Sequence, residues 1–249
     1  MNNEIVKYAL KKILNTKTVL FINLYVFFGS FVFSNGNVGQ NYFYIFTKCL
    51  TSQNFFLIFV FPPLLLLIIR CFNFFYTNNF LILRSGSKKE LGTYLLATSI
   101  AIVIYYFISS LLCIGISANI VEHTEDMKNQ LGYLANDGIV SFVYVIKYFL
   151  YLLLVVMLSL LLIMKLKNTK MVLCIMLIII LYLSLGSSVI FGNTVLNISR
   201  YINQLGFTKS IGKDIIESII FYIIIYFLLL LNFFQISKKM KIISGLDDI

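Results

Sequence analysis

Six long apolar stretches, separated by short polar loops, run through almost the whole of this chain, at Thr18 to Ser34, Phe55 to Phe75, Leu91 to Ser117, Ile139 to Met164, Met171 to Phe191 and Ile215 to Ile236. A helix rising ~1.5 Å per residue needs about 20 residues to cross ~30 Å of hydrocarbon, and most of the stretches approach or exceed that length. Backbone groups left unpaired in lipid are costly, so spanning segments must be helices or closed barrels, and the alternating short strands of a barrel are absent. Only 12% of the residues are charged and 60% are hydrophobic, against about 25% charged in soluble domains. With a mean hydropathy of +0.93, lipid has to cover most of the surface. The sequence therefore predicts an all-α membrane protein, one transmembrane domain over residues 1–249. It should hold six transmembrane helices, an N-terminal amphipathic interfacial helix, and an outer helical hairpin between spans five and six.

The basic residues orient the spans. With both termini cytoplasmic, the inner segments hold thirteen cations: Lys7, Lys11, Lys12, Lys17, Arg84, Lys88, Lys89, Lys165, Lys167, Lys170, Lys238, Lys239 and Lys241. The outer loops hold five, Lys48, Lys128, Arg200, Lys209 and Lys213, and the loop after span three also carries Glu122, Glu125, Asp126 and Asp137. Lys and Arg near span ends set topology, so this asymmetry predicts an even number of spans in a multi-pass cell-membrane protein with both termini cytoplasmic. An anionic inner leaflet accounts for the net charge of +10, and no nucleic-acid partner is needed. Cys49, Cys71, Cys113 and Cys174 form no CxxC pair or metal-ligand spacing and read as small apolar residues. The long, helical, basic leader does not suit a cleaved signal peptide, although Ser34-Asn35-Gly36 loosely resembles a cleavage site, so the first span is expected to remain.

Residues 1–17 read as an amphipathic helix. Ile5, Val6, Ala9, Leu10, Ile13 and Leu14 share one face, and Glu4, Lys7, Lys11, Lys12 and Asn15 the other. Such a helix lies in the membrane interface with its apolar side down; a plain basic flank is the simpler alternative. In the second span, Pro62 and Pro63 predict a kink or interruption, either a hinge or a device of shape tolerated because neighbouring helices satisfy the freed carbonyls. Arg70 near its inner end is expected to snorkel to water. Residues 74–90 form a short apolar, basic cytoplasmic segment, with Ser85-Gly86 as a breaker and Ser87 with Glu90 as a capping box, suited to docking a partner or serving as an anchored loop. Residues 192–213 include Asn193, Leu196, Ile198, Tyr201, Ile202, Leu205 and Phe207, a half-apolar pattern that reads as a re-entrant hairpin on the outer side.

Intramembrane charge points to function, because a Lys at mid-membrane costs at least ~2.5 kcal/mol. Lys147 lies eight residues into the fourth run, at a depth matching Asp214 and Glu217 near the start of the sixth. A Lys147–Glu217 pair is expected, with Lys147 snorkelling alone as the competing reading. Enzyme chemistry has few candidates. His123 stands among Glu122, Glu125 and Asp126 in a loop that reads as solvated, and there is no HExxH, no GxSxG and no GxxxxGK[ST]. No cofactor, metal or catalytic residue is expected. If ATP drives this protein, the nucleotide binds another subunit.

The succession of a basic amphipathic helix at Glu4 to Lys17, six spans, a cytoplasmic segment at Phe74 to Glu90 containing Leu83-Arg84-Ser85-Gly86-Ser87-Lys88, and an outer hairpin at Gly192 to Lys213 resembles the type-2 ABC exporter permeases. The resemblance covers the whole chain and is architectural. It implies a dimer of two permease subunits, identical or homologous, above two cytoplasmic ABC ATPase subunits. Residues 1–17 then correspond to the elbow helix, and Phe74, Phe75, Tyr76, Phe80, Leu81, Leu83 and Arg84 to the segment resting on the ATPase. It also implies a substrate path lined by spans two and five, including Asn73, Ser184, Ser187 and Ser188, with Pro62 and Pro63 as the hinge. Compact members of this type in low-GC Gram-positive bacteria often export antimicrobial or amphipathic peptides, and lipid or drug-like molecules would suit an apolar path as well. The competing class is a membrane immunity or sensor protein that binds a peptide or lipid without ATP. A pore or ion-coupled carrier lacks its inverted repeats and buried acids.

Overall fold

The computed structural model describes residues 3–37, 39–77, 88–121, 137–166, 168–182 and 211–239, and every regular element among them is helical. The chain opens with α1 (Asn3–Ile13), and Asn15 then caps α2 (Thr16–Asn35), its side chain accepting the Thr18 amide at 2.9 Å. In α1, Ile5, Ala9 and Ile13 are buried while Glu4, Lys7, Lys11 and Lys12 are exposed. The face expected to dip into lipid is instead covered by protein. It packs on the helices that follow and precede residues 78–87, which gives its apolar stripe closer contacts than fluid acyl chains offer.

α3 (Tyr42–Thr51) is a helix where the sequence pattern predicts only an outer loop. Its ten residues cannot cross a bilayer, so a search for long apolar runs passes over it. It is capped by Asn41, which accepts the Tyr44 amide at 2.7 Å, and it buries Ile45, Thr47, Cys49 and Leu50.

The second spanning helix has three parts: α4 (Gln53–Phe55), a π-helical turn over Phe56–Val60, and α5 (Phe61–Thr77). It is followed by α6 (Lys88–Ile120), α7 (Asp137–Leu166), α8 (Thr169–Leu181) and α9 (Ile211–Lys239). Five stretches are long and apolar enough to cross a membrane: Thr16–Asn35, Gln53–Tyr76, Glu90–Ile120, Asp137–Leu166 and Ile215–Ser237. These make the chain a multi-pass membrane protein. Of the expected fifth span, only the part in α8 and Tyr182 is described. Residues 183–210 lie outside the described residues, and with them Ser184, Ser187, Ser188 and most of the expected hairpin. Ile211, Gly212 and Lys213, assigned to that hairpin from sequence, belong to α9. Phe80, Leu81, Leu83, Arg84, Ser87 and His123 also lie outside the described residues.

The second span and α7 form the centre of the bundle. In each, 56% of the most apolar stretch is buried, against 11% in α9, which lies along α6 and α7 with most of its side chains turned outward. Leu64, Leu67, Ile68, Tyr106, Tyr148, Tyr151, Leu152 and Leu160 fill the space between the central helices and α6. α2 runs beside α6 and comes close to the π-helical turn through Gly29. A Cβ on Gly29 would fall 2.1 Å from Cγ of Phe59, so the absence of a side chain is what lets the ring lie there. At the other end of the bundle, Ser237 near the end of α9 sits against Gly92 in α6, where an added Cβ would be 3.0 Å from that of Ser237. The end of α9 therefore lies at the same end of the bundle as α1, and α3 marks the opposite end.

Candidate functional site

Four polar or irregular features break the apolar interior. At the α3 end, the Asn41 side chain donates to Asp137 Oδ2 at 2.9 Å, and the Thr47 and Ser141 hydroxyls are 2.7 Å apart. Asp137 is the first residue of α7, where a carboxylate meets the positive end of the helix dipole. Sequence reasoning places Asp137 among solvated loop acids, yet it is buried. Its adjacency to a long apolar run, and the Asn at the start of the short aromatic segment Tyr42-Phe43-Tyr44, are the signals that could have located both partners. Deeper in α7, Lys147 is 4% exposed, and its Nζ stands 5.0 Å from the centre of the Tyr144 ring. Glu217, its expected partner, is half-buried on α9, the helix that packs against α7.

A ladder of small polar contacts ties α2 and α7 to α6. Ser30 and Ser117 hydroxyls are 2.6 Å apart, Ser109 donates to the Asn23 side chain, and the Tyr148 hydroxyl donates to Ser110 at 3.2 Å. Ser117 and Ser159 also bond carbonyls one turn back in their own helices, the usual way a hydroxyl is satisfied inside a membrane helix. These contacts fix the packing of the helices around the second span.

That span contains the most unusual backbone. Residue 58 would pass its carbonyl to residue 62 in an α-helix, or to residue 63 in a π-helical turn, and both are prolines without an N–H. The Tyr25 hydroxyl of α2 donates to the Ile58 carbonyl at 2.9 Å instead, and the buried Tyr106 hydroxyl of α6 donates to that of Val60 at 2.8 Å. Tyr25 thus supplies a donor to a carbonyl that the prolines free, as a neighbouring helix can, whereas Val60 has Leu64 and Leu65 ahead of it and loses no backbone donor to either proline. Pro62 is exposed and Pro63 buried.

Beyond the prolines, Ile58, Pro62, Leu66, Arg70 and Asn73 form one exposed stripe at helical spacing along the second span. At its base, Phe74 and Phe75 meet edge to face with ring centres 5.4 Å apart, and Phe72 stacks on Tyr76 at 4.5 Å. Phe74 also meets Tyr8 of α1, ring centres 5.8 Å apart. Phe74, Phe75 and Tyr76 therefore belong to the last turns of α5 and join it to α1. Arg70 is exposed, and its Nη1 donates to the Thr18 hydroxyl of α2 at 2.6 Å. Among the described residues no three His, Cys, Asp or Glu side chains gather as a metal-ligand set. The Cys49 thiol is pushed up to about 12 by burial, which the nearby Ser34 hydroxyl only partly offsets. No family model matches this chain, nor does any curated protein or solved structure it was compared with, so the meaning of these features rests on the residues themselves.

Proposed function

We propose that the chain is the membrane-spanning subunit of an ATP-driven exporter of the type-2 ABC permease kind, moving amphipathic or antimicrobial peptides, or lipid-like molecules of similar character, and energised by separate ATPase subunits. The observation that carries this reading is the junction of α1 with the base of the second span. Tyr8 touches Phe74, and the buried stripe of α1 packs on both helices that flank residues 78–87. Force applied to that segment by a closing ATPase pair would reach α1, α5 and α6 as one body. From there it would pass up the second span to the Pro62–Pro63 bend, whose carbonyls are held by side-chain donors on other helices and can be re-paired.

Two further features support the reading. The exposed stripe of the second span ends on Asn73, which suits a path shared with a second permease subunit. α8 starts where α7 finishes while α9 ends beside the start of α6, an arrangement that suits the sixth crossing expected from the sequence.

The test is purification of the tagged chain from native membranes, with any bound soluble protein identified by sequence and assayed for ATP hydrolysis. A partner carrying GxxxxGK[ST], whose hydrolysis is coupled to transport in the wild type and uncoupled in Phe80→Glu and Leu83→Glu, is the expected result. A preparation that binds peptide or lipid and contains no P-loop protein would return the function to the immunity or sensor class.

A further inference from the structure

We propose that the cleft between α2 and α5 at the α1 end of the bundle binds the phosphate headgroup of an anionic phospholipid. The cleft has a volume of about 250 Å³ and places two cations, Lys17 and Arg70, at its mouth with the Thr18 hydroxyl between them. Arg70 is held there by its bond to Thr18, so its guanidinium is already oriented. One hydroxyl uses a single donor of a five-donor fork whose geometry suits phosphate oxygens. Among the described residues, no carboxylate lines the cleft.

The remaining walls are apolar. Ile22 and Pro63 form the floor, and Phe21 and Leu66, 62% and 43% exposed, extend it along the outside of the bundle. A free phosphate ion gains nothing from such walls, whereas a lipid would lay an acyl chain along Phe21 and Leu66 beneath its headgroup. The depth is also right. Lys17 immediately precedes the first apolar run, and Arg70 lies seven residues from the end of α5, or roughly 10 Å of helix. Both cations therefore come to the boundary between hydrocarbon and headgroups. The inference needs only the membrane reading of the chain, and it stands or falls independently of ATP-driven export.

The chain contains no tryptophan, so Phe21→Trp introduces a single fluorescent reporter into the cleft wall, and Leu228→Trp places one on the exposed face of α9 as a control. Each full-length protein is reconstituted into vesicles of phosphatidylcholine containing a brominated quencher lipid, either phosphatidylglycerol or phosphatidylcholine. Two surface cations predict a preference of roughly thirtyfold for the anionic quencher in the Phe21→Trp protein and close to none in the Leu228→Trp control. Adding Lys17→Gln and Arg70→Gln should bring the preference at the cleft reporter close to one. Thr18→Val, which keeps both charges and loses the anchor, should give an intermediate value. Equal quenching of the cleft reporter by the two lipids, or a preference that neither variant lowers, overturns the proposal. So does displacement of the anionic lipid by millimolar inorganic phosphate, which would make free phosphate the occupant.

Discussion

Lys147 is the residue with the most to explain, since a lysine enclosed by an apolar helix bundle costs at least ~2.5 kcal/mol, and the contact with the Tyr144 ring offsets about 0.5–2 kcal/mol of it. Tyr144 lies one turn toward the start of α7, the direction in which helical side chains lean, so the ammonium is carried toward the α3 end. The Tyr226 hydroxyl of α9 donates to the Leu150 carbonyl and fixes the register of the two helices. Glu217 is nine residues before Tyr226 and Lys147 three before Leu150, an axial difference of about 9 Å. The tyrosine leans back along α9 by several ångström, which narrows that difference to about one turn, within the joint reach of a lysine and a glutamate. If they pair, Lys147→Met and Glu217→Gln should each lower the unfolding free energy in mixed micelles, and the double variant should lose about 0.5–3 kcal/mol less than the sum. Strict additivity would mean that they do not meet. Cys49 gives a second check at this scale. With its thiol pushed up to about 12, and with the thiolate as the nucleophile, the reactive fraction at pH 8 is about one part in ten thousand. Maleimide should leave Cys49 unmodified in the folded protein, label it after denaturation, and react faster as pH rises. Rapid native labelling at pH 8 would contradict its burial. The burial of Cys71, Cys113 and Lys147 was legible because each sits in a long apolar run. That of Asn41 and Asp137 was not, because each is polar in a polar stretch and only the fold brings them together.

At the scale of the element, the double proline shows how a sequence can announce a break without saying how it is mended. Pro62 and Pro63 signal lost donors, but nothing local to them names Tyr25, which lies on a helix far away in sequence. The ordering of cause can be tested. Tyr25→Phe should destabilise the protein by about 1–3 kcal/mol, the penalty for a carbonyl left without a donor in a water-poor site. In a Pro62→Ala background the restored backbone N–H can pair with Ile58, so the same Tyr25→Phe change should cost markedly less. Thermal unfolding of the four proteins measures the difference, and an equal cost in both backgrounds would show that the tyrosine is not replacing the missing amide. α3 teaches the complementary lesson. Its ten residues carry a clear cap at Asn41 and a buried apolar face, but hydropathy windows of spanning length average it into the loops on either side. The five described stretches long and apolar enough to cross a membrane were legible to within a few residues. One that merely covers the end of the bundle was not.

For the whole molecule, the alternation of helix directions follows from contacts made far apart in the chain. α1 packs against the base of α5 and the start of α6, and Ser237 near the end of α9 meets Gly92 in the first turns of the same α6. The first and last described helices therefore converge on one end. The charge pattern then predicts the compartment, because the convergent end carries Lys7, Lys11, Lys12, Lys17, Lys165 and Lys170, and the α3 end carries Lys48 and Lys213 together with the buried Asp137. Lys and Arg flanking short loops are retained on the cytoplasmic side. Reporter fusions active only in the cytoplasm should therefore function at both termini, and a reporter active only outside should function when inserted between Asn35 and Asn41. Opposite signals at the two termini would require an odd number of crossings. That outcome would remove the shared cytoplasmic end on which α1, the base of the second span and residues 78–87 could meet an ATPase, and the exporter reading would fail with it. The cleft at Lys17 and Arg70 would persist in either case, since it depends on the contact between α2 and α5 and on the depth of the two cations.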